Sequence, residues 1–99
     1  MSYRNARLLA AVHHIECKAR IPDVCEGGNG EPAHSNQVRH GKGFGNKADD
    51  VFVAAMCRSC HREIDQGKRL SKDDRRNIWQ VAHELTLIEL FKNGLVRVV

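Results

Sequence analysis

A chain of 99 residues and 11.2 kDa has room for one small domain, which excludes a multi-domain enzyme, a barrel and a full dinucleotide-binding fold. Hydrophobic residues at 41% and charged residues at 28% match a folded globular chain. Lys and Arg outnumber Asp and Glu by 16 to 12, and the net charge of +4 favours a nucleic-acid partner without establishing one.

No apolar run approaches the roughly 18 residues of a membrane span. The opening stretch has neither the long apolar core nor the small-residue cleavage site of a secretion signal. These features predict a cytoplasmic protein with no membrane contact.

Residues 4–12 suit a short helix, with Leu8, Leu9 and Val12 as its apolar contribution. From 17 to 30 the chain turns often, punctuated by Pro22, Gly27, Gly28 and Gly30. Residues 31–50 are polar and glycine-rich, and a loop of that length without structure of its own is uncommon unless it is functional or mobile. Residues 51–56 form a short apolar run, a strand or the lead into a buried helix. The stretch 57–67 then reads as a metal knuckle entering a short helix that ends near Gly67.

The clearest element lies over 72–92. Ser71 with Asp74 resembles a capping box at its start, and Gly94 suits its end. Ile78, Val81, Leu85 and Ile88 recur at helical spacing, with Trp79, Ala82 and Phe91 widening the stripe. This helix is expected to cover the core with that stripe, and an extended tail should follow over 95–99. His83 and Glu84 lack the spacing of a zinc protease motif.

Four cysteines stand at Cys17, Cys25, Cys57 and Cys60. In a reducing compartment, two disulfides are a poorer account of them than four thiolates on tetrahedral Zn²⁺. The Cys57–Cys60 pair has the short spacing of a zinc knuckle, whereas the Cys17–Cys25 gap is wider and must loop out. A redox reading would need a βαβ unit, which nothing in the chain suggests. A four-sulfur zinc has no open position, so its role is structural.

His34, His40 and His61 are then the candidates for chemistry. A closed zinc site would draw His34 and His61 to one cleft, with Asp50 as a nearby carboxylate. Arg39, Lys42 and Lys47, set among glycines, could lie against phosphates. Phosphodiester hydrolysis needs a base, a cation to offset phosphate charge and a stabilised leaving oxygen. The Gly–Lys run lacks Walker A spacing, so a nucleotide-binding P-loop is excluded.

The motifs AHSN, GKGFGNKADD and CRSCHREID, followed by RRNIWQVAHELTLIELF, resemble a phage and prophage family of small nuclease-like proteins. That family, long a domain of unknown function, is related to the HNH (ββα-metal, treble-clef) endonucleases. The resemblance spans roughly residues 3–98. It implies a small α+β, zinc-stabilised domain with a treble-clef core over about 14–67 and a long C-terminal covering helix. It also implies structural zinc on all four cysteines, His34 as general base at the end of the first strand, and His61 as ligand of a catalytic Mg²⁺ or Mn²⁺. Residues 35–50 would connect the two strands.

Two departures stand out. HNH proteins place Asp or His before the base, where this chain has Ala33, and their middle Asn is replaced by Phe52 and Val53. Asp50 or Asn36 is the expected second metal ligand, and Asn36 or His40 would position the base. His13 and His14 precede the first zinc cysteine and are read as surface or packing residues. The leading expectation is a divalent-metal-dependent endonuclease acting on DNA in phage recombination or DNA processing. Arg39, His40, Lys42 and Lys47 would hold the strand, and a homodimer or a phage recombination protein is the expected protein partner. The alternatives are a non-catalytic zinc module that binds DNA or such a partner, and a purely structural protein.

Overall fold

In the computed structural model, residues 3–43 and 45–96 are described. Helix α1 (Ala6–Val12) begins where the Asn5 side chain accepts the Leu8 amide at 3.1 Å, and it buries Leu8 and Val12. Strands β1 (Glu31–His34) and β2 (Val53–Met56) form an antiparallel hairpin in which Ala33 faces Ala54 and His34 faces Val53. Helix α2 (Arg58–Gln66) follows directly, and α3 (Lys72–Lys92) closes the chain's regular structure.

The long loop expected over 31–50 is therefore shorter. Its first four residues are strand, and Val38–His40 form a single 3₁₀ turn. Pro32 tolerates its place in β1 because its partner, Ala55, directs both backbone groups away from the hairpin. The Ala55 amide donates to Thr86 Oγ1 at 2.9 Å, and its carbonyl accepts from the Lys18 amide at 2.8 Å. Gly30, just before β1, has no room for a side chain: a Cβ there would stand 2.7 Å from the Met56 amide nitrogen.

All four β2 residues are buried, and they alternate between two apolar clusters. Ala54 and Met56 pack with Ile21, Ile64, Trp79 and the cysteines. Val53 and Ala55 pack with Leu8, Val12, Ile15 and Leu90. A strand buried on both faces needs a cover on each side, which α1 and α3 supply.

The face that α3 turns inward keeps only Trp79 and Ala82 of the expected stripe, with Ile78 half-buried at its margin. Trp79, Ala82, His83, Thr86 and Leu90 are buried, whereas Val81, Leu85, Ile88 and Phe91 are 56, 42, 48 and 46% exposed. The reason is the open edge of β2, whose unpaired backbone groups require polar partners. Thr86 accepts the Ala55 amide there, and the His83 ring bonds the Val53 carbonyl at 2.8 Å. Trp79 Nε1 donates to the Ala33 carbonyl at 2.9 Å. After α3 the Leu95 amide bonds back to Leu90, and the rest of the expected tail, 97–99, lies outside the described residues. Among the described residues no helix is long and apolar enough to cross a membrane.

Candidate metal centre and cleft

Cys17, Cys25, Cys57 and Cys60 converge, with all four sulfur atoms within 4.8 Å of one another. The Cys17–Cys25 and Cys25–Cys57 sulfurs are 3.7 and 4.0 Å apart. A tetrahedron with Zn–S bonds of about 2.3 Å has edges of about 3.8 Å, so the donor set fits zinc. No disulfide joins them.

The backbone is arranged to support thiolates. Amides of Glu26 and Cys60 each point at Cys57 Sγ from 3.4 Å, and the Gly27 amide points at Cys25 Sγ from 3.3 Å. Gly27 does so from a φ of 72°, a left-handed turn that glycine adopts at little cost. Burial opposes ionisation of Cys57, but the two amides outweigh it and bring the thiol down to about 7. The loop between the first two cysteines visits the left-handed region at Arg20 and Asp23, a local strain that closure on a metal would offset.

Cys57 follows β2 directly and caps α2, which places His61 one turn into that helix. His34 ends β1. Both line one cleft of about 200 Å³, together with Ser35, Asn36, Lys42, Lys47 and Asp65. His34 Nε2 lies 2.9 Å from Asp50 Oδ1. Asp50 is buried, and it also accepts from the Asn5 amide at 2.6 Å and from Arg4 at 3.2 Å. Burial pushes its carboxyl up, yet the bonds from His34, Asn5 and Arg4 prevail and hold it below the usual carboxylate range.

His61 is held between two carboxylates. Its Nδ1 is 2.8 Å from Glu31 Oε1, and its Nε2 is 3.2 Å from Asp65 Oδ2. The bond to Asp65 raises the imidazole pKa and the Glu31 contact adds to it, against the opposing effect of burial. Asn36 Nδ2 donates to Asp65 Oδ1 at 2.9 Å, which fixes that carboxylate from the other side.

The structure thus brings His34, His61, Asn36, Lys42 and Lys47 together. It does not place Asp50 beside His61, as expected for a shared metal, because Asp50 is committed to His34, Arg4 and Asn5. Nor is His40 turned to a strand. Its Nδ1 bonds Ser35 Oγ at 2.6 Å and its ring stacks on Phe52 at 4.2 Å, and burial lowers its pKa. Arg39 is exposed and lies outside the cleft lining. Glu31, Asp65 and Arg4 were missed from the sequence. Asp65 carried a usable signal, since it follows His61 by four residues on one helix face.

The molecule is a small mixed α/β domain with a four-cysteine cluster able to coordinate a metal. No family model matches the chain. Two relatives, "Putative nuclease YbcO" of Escherichia coli (strain K12) and its namesake from Enterobacteria phage 82, are each 38% identical over 63 residues. The match covers 62% of this chain and 65% of each relative, just under two thirds of their length. A solved structure described as "a putative bacteriophage protein from Escherichia coli str. K-12 substr. MG1655" superposes with a TM-score of 0.65 at 26% identity. That likeness covers 87% of this chain and 98% of the other.

Two outcomes follow from this geometry. Purified protein is expected to carry about one zinc per chain, and chelation should collapse its helical circular dichroism. A metal-free chain that kept its full spectrum would refute the structural role. Asp50→Asn should cost about 1–3 kcal/mol at neutral pH in urea denaturation. The native carboxyl pKa lies below the unfolded one, so this stabilisation is present above the unfolded value and fades as pH falls through the native value. The gap between wild type and variant should therefore close in acid; a gap independent of pH would contradict the assignment.

Proposed function

We propose that the chain is an HNH-type endonuclease of phage type that hydrolyses DNA with Mg²⁺ or Mn²⁺ on a treble-clef ββα core held by zinc. The observation that carries this reading is the shared cleft, where His34 and His61 from distant segments meet beside Lys42 and Lys47. The similarity to proteins named as nucleases supports it.

His34 serves as the general base. With Asp50 on Nε2, that nitrogen carries the ring proton, and Nδ1 is left to take a proton from the attacking water. The ionised Asp50 also stabilises the imidazolium that forms. It is a positioning residue rather than a metal ligand.

Residues that suit a divalent cation are His61 and Asp65. Adjacent positions of an octahedron with bonds of about 2.1 Å are about 3.0 Å apart, close to the 3.2 Å between His61 Nε2 and Asp65 Oδ2. Glu31 on Nδ1 fixes the tautomer that leaves the Nε2 lone pair free. When bound, the cation supplies electrostatic stabilisation of charge on the phosphate and the leaving oxygen. Position 33 cannot contribute, because Ala33 is fully buried in the core on the opposite side of β1. Lys42 and Lys47 hold the strand by its phosphates, and the cut leaves a 5′-phosphate.

Supercoiled plasmid should be nicked by protein resupplied with Mg²⁺ or Mn²⁺. His34→Ala and His61→Ala, with zinc content verified, should each lose about a hundredfold to ten-thousandfold in rate. Asp65→Asn should demand more metal for the same rate. DNA that is bound yet uncut with every metal would favour the non-catalytic zinc module and defeat the nuclease reading.

A further inference from the structure

A second cavity, of about 240 Å³, opens between α2 and α3 next to the cleft. Asn36 and Asp65 line both, so the two spaces share a wall. Three cations reach the second one: Lys72, Arg75 and Arg76. Among the described residues none of the three forms an ion pair. Arg75 Nε is buried with no hydrogen-bond partner, and the guanidinium's other contact is a long 3.4 Å bond to the Ile64 carbonyl. Three cations without ion-pair partners around one cavity favour an anionic occupant, whose oxygens are the strongest acceptors for a guanidinium. Asp65 does not fill that need, being engaged by His61 and Asn36. Ile64 and Trp79 give the cavity an apolar floor suited to a sugar or base.

We propose that this cavity is a second phosphate site, holding the nucleotide next to the one in the cleft on a single nucleic-acid strand. The assignment rests on the nuclease reading for the cleft's occupant. It extends the strand's path from Lys42 and Lys47, across the Asn36–Asp65 wall, to Arg75 and Arg76.

Trp79 is the chain's single tryptophan, so its fluorescence reports on the cavity. Zinc-loaded protein, without added Mg²⁺, is titrated with a short single-stranded DNA. A saturable change is expected, and Lys72→Ala with Arg76→Ala should weaken binding about tenfold or more. The double variant should also flatten the salt dependence by about 0.7 in log–log slope, the share of one phosphate on a single strand. Both side chains are exposed, and an unchanged circular dichroism spectrum confirms the fold. Equal affinity in the double variant would overturn the site, as would an absence of binding. Deoxyadenosine monophosphate binding as tightly as the strand would instead make it a free-nucleotide pocket. Plasmid cutting without strand binding here sinks this site alone, whereas strand binding without cutting under any metal sinks the nuclease reading and leaves the site standing.

The exposed side of α3 carries a separate inference. Exposed Val81, Leu85 and Ile88 follow heptad spacing with Ile78, which is half-buried against the core, and Asp74 and Lys92 stand at the two ends. We infer that α3 pairs with α3 of a second copy, antiparallel about a two-fold axis. Val81 of one copy then meets Leu85 of the other, Ile78 meets Ile88, and Asp74 meets Lys92. Both ends are thus charge-complementary in a symmetric pairing. Sedimentation equilibrium should show a dimer, and Leu85→Lys should give a folded monomer. Asp74→Lys should weaken the dimer, with Lys92→Asp restoring it in the double variant. A wild-type monomer, or a Leu85→Lys dimer, would overturn the pairing.

Discussion

Everything in this small domain depends on four sulfurs being brought to one point. Cys57 is the junction: it directly follows β2, its sulfur caps α2 by accepting the Cys60 amide, and its side chain belongs to the cluster. Tying it to Cys17 and Cys25 sets the first loop against the start of α2. The hairpin then fixes β1 beside that helix, since Glu31 faces Met56 one residue before Cys57. His34 and His61 meet as a consequence of this closure rather than through any contact of their own. A domain this small would hold such a cleft more firmly with a metal joining those four sulfurs.

Backbone satisfaction is the second constraint, and it decides which side of α3 faces inward. A two-stranded hairpin leaves an edge on β2, and a buried edge must be paired. Thr86 and His83 meet that need, while Trp79 ties α3 to β1 through the Ala33 carbonyl. Hydrophobic periodicity marks a stripe centred away from that side, because it registers apolar side chains and is blind to a helix recruited for its hydrogen bonds. The extent of α3 was legible because capping chemistry is local: Ser71 accepts the Asp74 amide at 3.0 Å.

The candidate site was legible in the same uneven way. Cysteine spacing pointed to a cluster, and the chain order of His34, Cys57 and His61 pointed to a shared cleft. Partners contributed by distant segments were not legible. Arg4 and Asn5 reach Asp50 across more than forty residues, and no spacing rule anticipates it. That commitment removes Asp50 from His61 and leaves Asp65, on the same helix face, as the carboxylate at Nε2. Position 33 shows the same logic in reverse, for the alternation that turns His34 to the cleft turns Ala33 into the core.

The charge pattern around the cleft follows from these commitments. Glu31, Asp50 and Asp65 are each spent on a histidine, so the carboxylates nearest the cleft are already paired and repel a phosphate less than their number suggests. The cations are not spent in the same way. Arg4 is bound to Asp50, but Lys42, Lys47, Lys72, Arg75 and Arg76 have no ion-pair partner among the described residues. A modest net charge of +4 therefore understates the field a strand would meet, because the pairing leaves unneutralised positive charge on both sides of the Asn36–Asp65 wall.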